Sequence, residues 1–119
     1  CGKGNNGGDG AALARILALH GADVEVILFG SHVDIKGDAK TNFDIIGEKF
    51  ERFGLERTGL NEADTNLVRF IECEERKDWD KYLYSCEQNW DIQVDAIFGT
   101  GLNRPMDVWL YNVVHHINF

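Results

Sequence analysis

The amino-acid sequence predicts an α/β domain built on a mainly parallel sheet. Two observations carry that prediction. Short apolar segments of strand character alternate with segments of helical period, and a glycine-rich turn opens the first helix. At 119 residues with 44% hydrophobic content, the chain can close one core but not two. Three Trp, three Tyr and seven Phe argue against disorder.

Gly2 to Gly10 reads as the glycine-rich turn. It leads into a helix over Ala11–His20, on the Ala and Leu content and the apolar spacing of Leu13, Ile16 and Leu17. Gly21 stands where a helix ends on glycine. Val24–Phe29 is short, β-rich and mostly apolar, as a buried parallel strand should be. After a loop with Gly30 and Gly37, a second helix is predicted over Ala39–Phe53, with Phe43, Ile46, Phe50 and Phe53 on one stripe and Gly54 as its stop. Residues 55–66 carry no clear pattern. Leu67–Ile71 reads as a strand, Glu74–Cys86 as a helix that buries Trp79, Leu83 and Cys86, Ile92–Phe98 as a strand, and Val108–Ile117 as a last helix with Leu110, Val114 and Ile117 on one face. A glycine-rich turn of this kind normally follows a strand, and the last helix should lead to another. Terminal elements are therefore expected beyond both ends, and residues 1–119 read as a single, partial domain.

Charge and cysteine content narrow the function. Twelve Lys and Arg stand against 20 Asp and Glu, a formal charge of -8, which disfavours a nucleic-acid partner because phosphate binding needs clustered cations. No apolar run approaches the roughly 20 residues that span a bilayer, so no membrane partner is expected. Cys1, Cys73 and Cys86 lack C-x-x-C spacing and are odd in number, which fits a reducing, cytoplasmic compartment better than a disulfide framework or zinc site. A targeting segment cannot be judged from this stretch.

Two segments carry candidate chemistry. In Gly2-Lys3-Gly4-Asn5-Asn6-Gly7-Gly8-Asp9-Gly10, glycines permit close approach to the backbone, and the following helix turns its free N–H groups and positive dipole end into the turn. That combination suits a phosphate or pyrophosphate. Asn5 and Asn6 add side-chain amides, and Asp9 has the plain alternative of capping the helix. Glycines also serve any tight βα turn, and the G-x-G-x-x-G match alone is weak without its preceding strand. No G-x-x-x-x-G-K-[ST] string occurs. The second segment, Val94-Asp95-Ala96-Ile97-Phe98-Gly99-Thr100-Gly101-Leu102-Asn103-Arg104-Pro105, places Asp95 in an apolar strand near its carboxyl end, where open α/β sheets bind ligands. Three jobs stand open for it: proton transfer, cation ligation, or tying down a loop. Partial burial would raise its pKa and a bound cation would lower it.

Other candidates fall away. His115 and His116 are adjacent on a helix and diverge by roughly 100°, so they cannot grip one metal. Cys73 and Cys86 read as core filling. There is no G-x-S-x-G elbow. Glu72, Glu74, Glu75, Asp78 and Asp80 read as a solvated helix start.

Taken together, Gly4-Asn5-Asn6-Gly7-Gly8-Asp9-Gly10 and Val94-Asp95-Ala96-Ile97-Phe98-Gly99-Thr100-Gly101 resemble the NAD(P)H-hydrate epimerase family, the YjeF N-terminal domain, over essentially the whole chain. Lys36-Gly37-Asp38-Ala39-Lys40-Thr41-Asn42 resembles the entry to that family's second helix. The resemblance implies a Rossmann-like three-layer fold and interconversion of the R and S epimers of hydrated NADH and NADPH. It implies that Asn5, Asn6, Gly7, Gly8 and Asp9 bind the substrate, as do Gly99, Thr100, Gly101, Leu102, Asn103, Arg104 and Pro105. Asn6 and Asp95 would ligate a potassium ion, with Asp95 also the catalytic acid/base. A fused or separate ATP- or ADP-dependent dehydratase is the implied partner, and a homodimer is compatible with it. The family's later aspartate and potassium-binding serine have no counterpart before Phe119.

Two rivals remain. A non-catalytic scaffold of the same fold would need neither the Asn-Asn-Gly-Gly-Asp string nor Asp95. An ordinary nicotinamide dehydrogenase would want an acid about 20 positions after the glycines for the ribose, near Glu25, but the Asn pair suits it poorly.

Overall fold

Two six-residue strands, β1 (Val24–Phe29) and β2 (Val68–Cys73), pair in parallel in the computed structural model, from Val24 opposite Val68 to Phe29 opposite Cys73. Residues 1–49, 68–86 and 89–118 are the ones the structure describes. Period-two alternation sends Val26, Leu28, Val68 and Phe70 to one face of the pair, and Ile27, Phe29, Ile71 and Cys73 to the other. Helices α1 (Asn5–Leu19) and α2 (Gly37–Lys49) cover the first face, and α3 (Arg76–Ser85) and α4 (Val108–Asn118) the second. The result is a three-layer α/β arrangement with a parallel sheet, as expected.

The start of α1 departs from expectation. The helix begins at Asn5 rather than Ala11, so most of the glycine-rich turn is its first two turns. Glycine costs about 1 kcal/mol per residue inside a helix relative to alanine, and the packing explains why it is there. A Cβ on Gly7 would collide with the Gly2 carbonyl, one on Gly8 would come within 2.7 Å of Ala39 Cα, and one on Gly10 within 2.6 Å of Ala96 Cβ. Asp9 consequently lies within the helix, and the N-cap is Gly4, with no side-chain cap. The buried line of α1 is Ala11, Ala14 and Ala18, whereas Leu13, Ile16 and Leu17 are 39–48% exposed. Small side chains let α1 sit close on α2 and β1.

The other helices and strands follow their sequence signals more closely. Gly21 ends α1 at a φ of 90° and donates to Ala18 O, the positive-φ stop that glycine favours. In α2, Phe43 and Ile46 are buried; Phe50, Phe53, Gly54 and residues 55–66 lie outside the described residues, as does Leu67. Glu75 and Asp78 form a reciprocal capping box at the start of α3, which satisfies two amides that the helix cannot. Trp79 of α3 packs edge-on to Phe29 at 5.5 Å, and Trp109 of α4 meets Phe29 at 6.0 Å.

Ile92–Phe98 does not form a regular strand. Among the described residues its one backbone–backbone hydrogen bond to a neighbour is Gly2 N–H to Ala96 O at 2.8 Å, while Ile92 and Val94 are exposed. A strand is defined by a continuous ladder, and the backbone beside this segment is only Cys1 and Gly2. Cys1 is held on its other side by β1, through its amine to Ile27 O at 2.7 Å and its carbonyl accepting Phe29 N–H at 2.8 Å. The lateral order is therefore β2, β1, Cys1–Gly2 and then residues 94–98.

Candidate functional site

That lateral order fixes where a ligand crevice would lie. From Cys1–Gly2 the chain passes through α1 to β1 and through α2 to β2, stepping outward in one direction. It then returns through α3 to residues 94–98 on the opposite side of Gly2. The order reverses between Gly2 and Ala96, and open α/β sheets bind ligands at such reversals, beyond the carboxyl ends of the strands.

Asn6 occupies this point. Its Nδ2 donates to Phe98 O at 3.1 Å, and a Cβ on Gly99 would lie 3.2 Å from Asn6 Cβ. Two stretches 92 residues apart in sequence thus touch. The first intrahelical bond of α1 is Gly8 N–H to Gly4 O at 3.0 Å, so the amides of Asn5, Asn6 and Gly7 precede it at the positive end of the helix. Asn5 and Asp9 are exposed, whereas Gly7 and Gly8 are buried against protein. The glycines serve close packing, which carries Asn6 to its place.

Asp95 lies just upstream of this contact and is exposed rather than partly buried. Its Oδ1 accepts Ile97 N–H at 3.0 Å, and its Oδ2 lies 3.4 Å from Asn118 Nδ2 of α4. The first bond folds the carboxylate forward along the chain, onto the Ile97 amide. Ala96, the next residue, faces Gly10 of α1. Asn6 therefore approaches residues 96–98 from the α1 side and Asp95 from the α4 side, and each has its own partners there, Phe98 O for Asn6 and Ile97 N–H and Asn118 for Asp95. Asn118 escaped the sequence reading because nothing in its neighbourhood marks it. Residues 99–105 form an exposed loop at the same edge, with Leu102 N–H turning back to Gly99 O at 3.4 Å.

The end of β1 holds a second polar group. Lys3 lays its stem over Gly30, where a Cβ would meet Lys3 Cδ at 2.5 Å, and its Nζ stands 3.6 Å from Asp34 Oδ2. Asp34 closes a single 3-10 turn, His32–Asp34. Glu72, at the end of β2, accepts the His32 amide at 2.8 Å and contacts its Nδ1 at 2.5 Å. Glu72 therefore does not belong with the helix-start acids of α3.

Glu25, the acid at dehydrogenase spacing, sits at the other end of β1. It accepts Tyr82 OH at 2.6 Å and pairs with Arg69 at 3.5 Å. Burial pushes the Tyr82 hydroxyl well above its usual range, with its Cys86 and Glu25 partners adding to the shift. Burial likewise pushes the Cys73 thiol up to about 12, in keeping with core filling. All three cysteines are free. Among the described residues no group of three or more His, Cys, Asp or Glu side chains could hold a metal, and no helix is long and apolar enough to cross a membrane. His115 and His116 are both exposed on α4, with the His116 ring edge-on to Trp79 at 5.8 Å and the His115 ring beside Tyr111.

These features define a class: a parallel α/β domain whose glycine-rich helix start meets a second loop at the carboxyl edge of the sheet. The chain belongs to the family described as YjeF-related protein N-terminus, whose model matches residues 1–119. It is 40% identical over 107 residues to the bifunctional NAD(P)H-hydrate repair enzyme Nnr of Moorella thermoacetica, covering 85% of this chain and 16% of that protein. The Nnr of Thermofilum pendens is 35% identical over 118 residues, covering 99% of this chain and 19% of the relative. The NAD(P)H-hydrate epimerase of Roseobacter litoralis is 31% identical, with 89% of this chain matching 42% of it. The chain thus spans less than half the length of these curated relatives. No solved structure matches it.

Proposed function

We propose that this chain supplies the substrate crevice of an NAD(P)H-hydrate epimerase, an isomerase that interconverts the R and S epimers of hydrated NADH and NADPH. The observation that carries the reading is the Asn6–Phe98 hydrogen bond, 3.1 Å long, which joins the Asn-rich helix start to the Gly99 loop at the sheet reversal. Family membership and the names of the relatives support the same reading.

In this reading the amides of Asn5, Asn6 and Gly7 face the substrate phosphates, and the loop from Gly99 to Pro105 lies along the rest of the dinucleotide. Epimerisation breaks the bond between the hydroxyl and the ring carbon beside the nitrogen and reforms it on the opposite face. Asp95 would hand a proton to the departing hydroxyl, which leaves as water, and take one back as water returns. Its bond to Ile97 N–H, 3.0 Å long, orients the carboxylate while leaving it exposed.

In donor type, though not in position, Asn6 and Asp95 suit potassium: they reach residues 96–98 from the α1 side and the α4 side, so a shared ion would require the Asp95 carboxylate to turn across that segment. Asn6 Oδ1 and the Asp95 carboxylate are oxygen donors of the kind hard cations take, and the Asn6 amide nitrogen is already committed to Phe98 O. Asp95 would give up its long contact to Asn118 Nδ2, at 3.4 Å, in order to ligate. The ion would supply positive charge beside the substrate phosphates.

A dehydratase, fused or separate, would consume one epimer, and the names of the bifunctional relatives fit a fused arrangement. Free cysteines fit a cytoplasmic setting. A homodimer is compatible with this reading.

The test uses the full-length protein. Asp95→Asn is expected to reduce epimer interconversion by at least about 100-fold, within the range for a general acid–base group, with an unchanged melting temperature. Turnover at the wild-type rate would remove Asp95 from the chemistry. A wild-type protein that binds the dinucleotide without converting its hydrates would point to the scaffold instead.

A further inference from the structure

We infer that the end of β1 selects against a 2′-phosphate, so that the crevice prefers the hydrate of NADH to that of NADPH. The inference rests on the dinucleotide reading of the crevice and deepens it.

In doubly wound sheets the adenosine ribose reaches the end of the strand next to the central one, where an acid takes its 2′-hydroxyl. Here that strand is β1, flanked by Cys1–Gly2 on one side and β2 on the other. Glu25 cannot fill the role, because its side chain is 8% exposed and held at the amino end of the strand by Arg69 and Tyr82. Asp34 can. Its side chain is 59% exposed, in the turn that follows β1 at the carboxyl edge.

The neighbours of Asp34 set the charge that a ribose would meet. Lys3, the cation of the glycine-rich segment, is drawn across Gly30 toward it. Glu72 contributes a second carboxylate, reaching the same turn through His32. Asp34 and Glu72 thus bring two carboxylates to this end, beside the Lys3 ammonium and the His32 imidazole. A ribose diol finds acceptors there. A 2′-phosphate, which carries nearly two negative charges at neutral pH, would stand beside two carboxylates, a like-charge juxtaposition that specific sites use to reject a ligand.

Calorimetry on the full-length protein tests this, with ADP-ribose and 2′-phospho-ADP-ribose as probes. Wild type is expected to bind ADP-ribose about tenfold more tightly, the scale of one like-charge contact near a surface. Asp34→Asn is expected to weaken ADP-ribose and strengthen the phosphorylated probe, so that the preference falls to about twofold or less. Because Asp34 is exposed, its replacement should leave the melting temperature within a degree or two of wild type. Equal or tighter wild-type binding of the phosphorylated probe would overturn the inference, as would an unchanged preference in Asp34→Asn. Binding of neither probe would overturn it together with the dinucleotide reading. The expected preference in a protein that converts no hydrate would leave it standing and sink the epimerase reading alone.

Discussion

The two faces of the sheet are closed by opposite means. Over Val26, Leu28, Val68 and Phe70, α1 presents Ala11, Ala14 and Ala18, and its glycines press against Gly2, Ala39 and Ala96. Over Phe29 and Cys73, α3 and α4 present Trp79, Trp109 and Val113, with Tyr82 stacked on Trp79 at 5.4 Å. Rings bury a large area with little demand on backbone position. Hydrogen-sized side chains demand that two backbones stand at one separation. The Asn6–Phe98 contact lies on the side built with that tighter tolerance, because Asn6 reaches Phe98 O only if α1 sits this close.

Three substitutions would break or sharpen that contrast. Trp79→Ala empties the aromatic face and should cost about 4 kcal/mol, in the range for large-to-small core changes. Urea unfolding would measure it, and a loss under about 1 kcal/mol would mean that α3 is not part of the core. Gly8→Val places a branched side chain where a Cβ alone comes within 2.7 Å of Ala39 Cα. It should cost about 3 kcal/mol, toward the upper end for overpacking. It should also weaken dinucleotide binding by displacing α1, so unchanged stability and affinity would show that the α1–α2 contact yields freely. Asn6→Ala removes one hydrogen bond and should cost only about 1 kcal/mol of stability. Its binding loss should be much larger than its stability loss, and parallel small losses would reduce Asn6 to a structural tie.

Much of this was legible in the residues themselves. β1 was readable to the residue because a six-residue, mostly apolar run rich in β-branched residues stands between Gly21 and Gly30, and α3 and α4 were readable from Trp79, Val114 and Ile117 at helical spacing. The start of α1 was misread for a definite reason. Glycine propensity marks Gly7, Gly8 and Gly10 as turn formers, and tertiary contacts with Gly2, Ala39 and Ala96 override it. The same holds for the outward Leu13, Ile16 and Leu17. Apolar spacing identifies a helix, but the closeness of its neighbours decides which face turns in. Ile92–Phe98 has strand composition without a strand's ladder, since pairing belongs to two segments and composition to one.

The candidate site divides in the same way. Which groups are available, two asparagines beside glycines and a carboxylate before Gly-Thr-Gly, follows from the order of residues alone. So does the family resemblance, because it is a match of residue strings. Where Asn6 stands depends on the reversal of lateral order between Gly2 and Ala96, which brings it to Phe98. The assignment of Asp34 rather than Glu25 to the crevice edge depends on which end of β1 each one occupies. Residue type is a local property of the chain. Proximity across 92 positions is created only when helices pack on a sheet.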